Sequence, residues 1–334
     1  MIFSVTGGVN DTVFGKVQAP LKAFLEKRAK AYEQSSLVKN MFKMTTSEHF
    51  GEMFGGMNGF ANGMQPVGEG GAYPNDSIEE TYNKFLQNQT WKNKFVITQE
   101  AIEDAQVLDL EKMGAANFVE DYYLTRDKYG AQLLIGAVYG TSTVFRGLKM
   151  DCTSADGVSL FSTSHPSKTG NTGAQSNKFA GEFSDEVLGK IETKMQNFTD
   201  DNGEVLTISP NLIIIPNDYS LKNAVFKAIG SDKAPETSNN AFNYQYGRWN
   251  VLVNPYLNPL LKNENNDKPF FVEDTNYNDS HYGLIFMDRI KLHVDSKIDS
   301  NTDNNAIHGR SRFVCGANDW RSIAVGGVTG GSEL

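Results

Sequence analysis

The stretch from Asp109 to Tyr139 constrains the fold more than any other. Leu110, Met113, Phe118, Tyr122, Tyr129, Leu133 and Ala137 recur there at spacings of three and four or their sums. That period predicts one helix over 109–140, about 45 Å long at roughly 1.5 Å per residue. No heptad seam supports a coiled coil. A helix this long is an architectural strut rather than one packing unit among many. It carries Gly114, Gly130 and Gly136, and each glycine inside a helix costs about 0.5–1 kcal/mol relative to Ala. Close packing against a neighbouring backbone is one reason for them, and bending is another. Gly130, with Asp127, Lys128 and Tyr129 before it and Gln132 after it, is the expected hinge.

The segments before the strut look unable to stand alone. Residues 50–74, "FGEMFGGMNGFANGMQPVGEGGAYP", hold glycines that argue against a regular element, while the Phe and Met side chains need cover. Residues 77–98 read as two strands, "SIEETYNKF" and "WKNKFVIT", around "LQNQ". In the second, Trp91, Asn93, Phe95 and Ile97 alternate with Lys92, Lys94 and Val96. Such a polar hairpin is too thin to be stable by itself, so it is expected to project and lie on another chain. Phe54, Met57, Phe60, Met64, Tyr82, Lys84, Trp91 and Lys92 are the candidate subunit contacts. Further upstream, residues 19–34 predict a helix. Leu21, Phe24, Leu25 and Ala29 form its apolar face, and Lys22, Lys27, Arg28 and Lys30 fall largely elsewhere.

Beyond the strut, helix and strand alternate. Ser184 caps a helix, "NLIIIP" is a buried strand, Asn217 or Asp218 starts a helix that Gly230 stops, and "RWNVLVNPYL" is a strand. This is an α/β block. The last section, "YGLIFMDRIKLHVDSKID" and "RSRFVCGANDWRSIAVGG", is strand-rich.

Chemistry is hard to find. Two cysteines, Cys152 and Cys315, cannot build a disulfide framework. His49, His165, His281, His293 and His308 show no zinc spacing, and "DDNGE" and "DSKIDSNTDNN" lack the terminal Glu of a calcium loop. No dinucleotide or phosphate-loop motif is present, so no cofactor or metal is expected. "DGVSLFSTSHPSKTGNTGAQSNKF", residues 156–179, lies just after Cys152 and raises the one catalytic possibility: Cys152, Ser162 or Ser164 as nucleophile with His165 as base. No nucleophile elbow surrounds either serine, and no orienting acid is identifiable. The net charge of −9 argues against nucleic-acid binding over the whole surface. The N-terminus does not read as a signal peptide, and no stretch reaches the length of a membrane span.

"DGVSLFSTSHP" followed by a Gly/Asn/Thr/Ser-rich run resembles a segment of tailed-phage major capsid proteins, particularly the Mu-like head-subunit branch. "NKFVITQEAIEDAQ" resembles the approach to that family's spine helix. "SPNLIIIPNDYSLKNAVFKAI" and "GRWNVLVNPYLN" resemble its strand–Pro–helix unit and the strand after it. The resemblance covers roughly residues 50–325, and the collinear order of the motifs carries it. It implies an α+β chain with the Hong Kong 97 fold: an N-terminal arm (1–65), an extended β-hairpin loop (66–97), a peripheral domain with the spine helix (98–181), an axial α/β domain (182–280) and a return to the peripheral domain (281–334). Leu160 and Phe161 would anchor a peripheral strand, and residues 165–177 would form a surface or contact loop.

The implied function is a major capsid protein that self-assembles, as pentamers and hexamers, into an icosahedral shell around double-stranded DNA. A portal, a separate scaffolding protein and a decoration protein are the partners it implies, since no helical scaffolding segment precedes the arm. Residues 1–45 hold seven Lys/Arg against three Asp/Glu, which suggests weak, nonspecific contact of the arm with packaged DNA or contact with an acidic neighbouring subunit. The virion capsid, and the host cytoplasm during assembly, are the implied locations, with no membrane. Some relatives cross-link Lys to Asn. Nothing here marks an acceptor Asn or a catalytic carboxylate, so that activity is not carried over. An encapsulin-like compartment shell and a Cys- or Ser-dependent hydrolase are the alternatives.

Overall fold

The computed structural model describes residues 2–3, 27–57, 64–75, 80–98, 100, 107–170, 172–231, 242–298 and 304–334. Residues 27–35 form helix α1, followed by α2 (Val38–Met41) and the strut, α3 (Val107–Tyr139). At 33 residues, α3 spans about 50 Å. Phe118, Tyr122, Tyr129, Leu133 and Ala137 are all buried, as their spacing predicts. The side chains of Leu110 and Met113 lie outside the described set.

Two larger sheets accompany α3. The larger has the order β1 (Ile2–Phe3), β11 (Leu284–Ile298), β12 (Asn305–Ala317), β5 (Gln89–Ile97), with β2 (Lys43–Thr46) also pairing parallel to β11. The β11–β12 pair is a long antiparallel ribbon, running in register from Leu284↔Ala317 to Ile298↔Asn305 with two irregularities. The smaller sheet has the order β13 (Ile323–Gly326), β10 (Phe270–Glu273), β8 (Leu212–Ile215), β9 (Asn250–Val253). Strand β8 reads "LIII" and is buried at every position, as strands covered on both faces are. Helices α4 (Asp185–Gln196) and α5 (Tyr219–Ile229) belong to this block. Ser184 and Asp218 cap them by accepting from the Val187 and Leu221 N–H groups, and Gly230 ends α5. A short helix, α6 (Thr275–His281), joins β10 to β11. One continuous apolar core runs through both sheets and α3.

Polar side chains fix α3 in place. The Arg126 guanidinium is paired bidentately with the Asp288 carboxylate on β11, donates to the Tyr122 hydroxyl at 2.7 Å and lies 4.4 Å from the Phe286 ring centroid. Asp127 accepts from the Ser36 hydroxyl (2.8 Å) and the Val38 N–H (3.1 Å), tying the start of α2 to the strut.

Several expectations change. Residues 80–87 and 89–97 do not pair with each other. Strand β4 (Glu80–Gln87) pairs with β3 (Gly51–Met57), and β5 pairs with β12. The hairpin is therefore 51–87, and the glycine-rich segment read as irregular supplies one of its strands. The glycines have a steric reason: a Cβ on Gly51, Gly55 or Gly56 would meet Phe85, Asn83 or Thr81 of β4 within 2.5 Å. Leu160 and Phe161 are buried, but an irregular segment with isolated bridges holds them, not a strand. Gly130 is buried together with Asp127 and Tyr129. A Cβ there would meet Val38 Cγ2 at 3.0 Å and Phe42 Cε2 at 3.1 Å. Close approach of α2, not an exposed hinge, accounts for this glycine.

Candidate assembly surface

The β3–β4 hairpin is two-stranded, so among the described residues one strand edge on each side pairs with nothing else. Alternation along β4 puts Lys84 and Leu86 inward and Phe85 outward. Met53 and Phe85, 65% and 50% exposed, give the hairpin an apolar outer surface, and Met64, Val67 and Tyr73, between β3 and β4 in the sequence, are exposed as well. Of the sequence candidates, Met64 and Lys92 are exposed. Phe54 is half-buried, packs on the Leu86–Ile285–Met287–Val314 cluster and meets the Tyr282 ring at 5.7 Å. Tyr82 is half-buried beneath the Lys168 ammonium. Phe60 and the Met57 side chain lie outside the described residues. Met53 and Phe85 went unchosen, although strand alternation in "ETYNKFLQ" carries the signal for Phe85.

Two candidates are engaged inside their own subunit. Trp91 stacks on Phe313 (5.0 Å, 11°), meets Tyr129 and Phe145 edge-on, and donates from Nε1 to the Phe313 carbonyl at 3.2 Å. Lys84 is buried, and its Nζ donates to Asp151 Oδ2 (2.7 Å), the Thr153 carbonyl (2.9 Å) and Thr153 Oγ1 (2.7 Å). Asp151 ends β7 (Leu148–Asp151), which pairs with β6 (Ser142–Phe145). Burial works against the Asp151 carboxylate, but the Lys84 and Thr153 hydrogen bonds outweigh it and hold its pKa below the usual value. Lys168 Nζ donates to the Glu80 and Thr81 carbonyls at 2.6 and 2.8 Å. Lys84 in mid-strand and Lys168 at the distal, Glu80 end thus hold β4 to the body, while Met53 and Phe85 on its outer face stay exposed.

The Cys–His segment is organised for rigidity. His165 is 1% exposed and stacks on Trp320 at 4.2 Å. Its Nδ1 faces Asp156 Oδ2 at 2.6 Å, and its Nε2 faces Asn177 Oδ1 at 3.1 Å. The Asn177 amide is oriented by its other partners. Nδ2 reaches the carbonyls of Leu160, Trp320 and Ile323, and Oδ1 accepts from the Ser162 N–H. Nε2 of His165 must therefore donate. The other nitrogen is occupied by a carboxylate, so the ring offers no free lone pair to a substrate. The orienting acid absent from the sequence reading is Asp156, but among the described residues no nucleophile contacts the His165 ring. Burial raises the Asp156 pKa, while hydrogen bonds from His165, Ser154 and the Val158 N–H outweigh it, so the net shift is downward. Cys152 is fully buried, and burial first, then the Asp151 charge, pushes its thiol up to about 12; a thiol is the unreactive form. The run 165–177, expected as a surface loop, is anchored at its ends by buried His165 and Asn177, while Pro166, Lys168, Gly170, Gly173 and Ala174 between them are exposed.

On α1, Lys27, Arg28 and Lys30 are exposed while Ala29 is buried, and Tyr32 stacks on Tyr123 of α3 at 6.1 Å. Lys22 lies outside the described residues. No group of three or more His, Cys, Asp or Glu could hold a metal ion among the described residues, and no described helix is long and apolar enough to cross a membrane.

The long strut, the two sheets and the β3–β4 hairpin make up a mixed α/β fold, and comparison with solved structures matches it to the Hong Kong 97 type. The chain is similar to a protein of Mycobacterium phage Patience (TM-score 0.53, 10% identity, covering 94% of this chain and 88% of that one). It is also similar to the capsid of a native GTA particle (0.51, 11% identity, 87% and 89%) and to the capsid of cyanophage P-SCSP1u (0.51, 9% identity, 87% of each). No curated protein sequence matches. The profile of the phage capsid protein family matches residues 83–326, well over half of the chain. The chain belongs to the phage capsid protein family.

Proposed function

We propose that this capsid protein is the major shell subunit of a tailed phage, assembling with copies of itself, as pentamers and hexamers, into an icosahedral shell around double-stranded DNA. The observation that carries this reading is the β3–β4 hairpin: held to the body along β4 by Lys84 and Lys168, it exposes Met53 and Phe85, for which the described residues of its own subunit give no cover. A neighbouring subunit supplies that cover. Assembly would occur in the host cytoplasm and end in the virion. A portal, a scaffolding protein and a decoration protein would be its partners, and the exposed lysines of α1 would meet DNA or an acidic neighbour through salt-sensitive contacts. Residues 98–181 and 281–334 would form the peripheral domain and 182–280 the axial domain. Placement in the Mu-like branch rests on the order of the sequence motifs. The subunit performs no chemistry in this reading, which the occupied nitrogens of His165 and the buried Cys152 support. Sedimentation velocity of the purified chain tests the reading: particles of megadalton mass are expected, and a stable monomer at all concentrations would overturn it.

A further inference from the structure

The buried chain Asp156–His165–Asn177 fixes a charge as well as a shape. The Asn177 amide cannot flip, because Nδ2 donates to the Leu160, Trp320 and Ile323 carbonyls and Oδ1 accepts from the Ser162 N–H. The Oδ1 that meets His165 Nε2 at 3.1 Å has only lone pairs to offer, so Nε2 carries a proton. Nδ1 meets Asp156 Oδ2 at 2.6 Å. The Asp156 carboxyl is held in its ionised form, since its other oxygen accepts from the Ser154 hydroxyl and the Val158 N–H. Nδ1 must therefore carry a proton too. With both nitrogens protonated the ring is an imidazolium, and its side chain is 0% exposed. The Trp320 indole stacked on it, at 4.2 Å and 8°, presents the negative face that suits a cation.

This charge sits in a joint. On one side, Ser159 Oγ donates to the Ala137 and Gly140 carbonyls at 2.7 and 2.8 Å, and Lys178 Nζ donates to the Val138 carbonyl at 2.8 Å. The segment 156–179 thereby grips the C-terminal end of α3. On the other side, the Phe179 N–H donates to the Val325 carbonyl at 2.8 Å, and the Val325 N–H to the Asn177 carbonyl at 2.9 Å. These bonds seat the segment on β13, the edge of the smaller sheet. The other charged groups around the ring are engaged elsewhere. Arg321, 4.7 Å from the Trp320 ring, pairs with Asp201 and Asp319, and the Tyr277 hydroxyl donates to Asp319 at 2.8 Å. Tyr82 on β4 is kept neutral by burial first and then by the Asp201 and Asp156 charges. Among the described residues, Asp156 is the one carboxylate in contact with the ring.

We propose that the His165 imidazolium is a proton-held lock between the strut and the smaller sheet, closed at neutral pH and opened by alkali. Loss of either ring proton to hydroxide leaves a lone pair facing the Asp156 carboxylate or the Asn177 oxygen, and the contact turns repulsive. A buried charge pair broken in this way is strongly destabilising. The direction follows from linkage: the closed joint binds the proton, so its contribution is present at neutral pH and lost as pH rises. Its partner persists in mild acid, because hydrogen bonds outweigh burial and hold the Asp156 carboxyl below its usual range. The lock belongs to the subunit and works whether or not the chain forms shells.

The test is magic-angle-spinning NMR of the full-length chain, 15N-labelled at histidine and 13C-labelled at tryptophan, stepped from about pH 7.5 to about pH 10. Transfer from a tryptophan ring identifies His165, the one histidine stacked on tryptophan among the described residues. Two protonated ring nitrogens are expected at the lower pH and one at the higher. Over the same step, hydrogen-exchange protection of residues 156–179 and 323–326, corrected for the intrinsic rate, should fall at least tenfold while that of β8 holds. His165→Gln should show no such pH-dependent fall, and the wild-type measurement decides the matter even if that variant does not fold. A neutral ring at the lower pH, a ring still doubly protonated at the higher, or proton loss without loss of protection would overturn the proposal.

Discussion

The β3–β4 hairpin and the segment 156–179 invert each other. The hairpin is rich in Phe, Met and Gly, yet holds Met53 and Phe85 in solvent. The segment is rich in Ser, Thr, Asn and Gly, yet buries His165 and Asn177 to 1% and 0%. Polarity alone does not report burial in a shell-forming subunit. Polar groups go inside where each finds a partner, as Asn177 does with five, and in the proposed shell the outward apolar groups would be covered by another copy.

Asn177→Ala attacks the buried side of this contrast most severely. It leaves the Ser162 N–H and His165 Nε2 without their acceptor and removes the donor from three carbonyls. Buried unsatisfied groups cost about 1–3 kcal/mol each, so a loss above roughly 3 kcal/mol is expected in urea unfolding. A loss under roughly 1 kcal/mol would mean that water replaces the amide without penalty.

Gly130→Ala comes next. The added methyl must displace Val38 or Phe42, and overpacking of that kind costs about 1–3 kcal/mol. The helix-propensity gain of about 0.5–1 kcal/mol offsets part of it. A lower melting temperature is expected. A higher one would restore the hinge that the sequence suggests.

Glu273→Gln sharpens the rule that buried polar groups are paired. Both carboxylate oxygens of Glu273 are buried with no partner among the described residues, and burial first, then the charges of Asp274 and Asp279, raises its pKa well above the usual value. The sign follows from linkage: the folded state binds this proton more tightly, so its contribution is fully present below the unfolded pKa and is lost as pH rises toward the folded one. The Gln variant should match wild type near pH 4 and gain on it progressively toward neutral pH. Parallel stability curves across that range would show that Glu273 is ionised and paired after all.

Phe85→Ser has the smallest expected effect on the subunit and the most selective effect on assembly. Exposed substitutions stay within about 0.5 kcal/mol, so the unfolding curve should barely move while particle yield falls. Equal yields would show that the hairpin surface needs no cover.

Much of this was legible in the sequence. The strut could be read because 3.6-residue periodicity repeats over many turns, and the α/β block because β8 is unbroken apolar and both helices carry strong caps. The hairpin was misplaced because pairing is a long-range property. "SIEETYNKF" and "WKNKFVIT" are adjacent strands, but Trp91 finds a better surface on Phe313 and Tyr129, some 222 and 38 residues away, than across a turn. The glycines of β3 read as breakers because the side chains of β4 that fill their space come three decades later in the chain. Asp156 escaped notice as the His165 partner because nine residues of irregular backbone separate them.

The central claim is that the apolar face of the hairpin is covered by a neighbouring copy. Cryo-electron microscopy of particles assembled from the purified chain measures this directly. The account predicts closed icosahedral shells in which each β3–β4 hairpin lies on the adjacent subunit with Met53 and Phe85 out of solvent. Shells whose hairpins stand free in solvent, or fold back onto their own subunit, would contradict it.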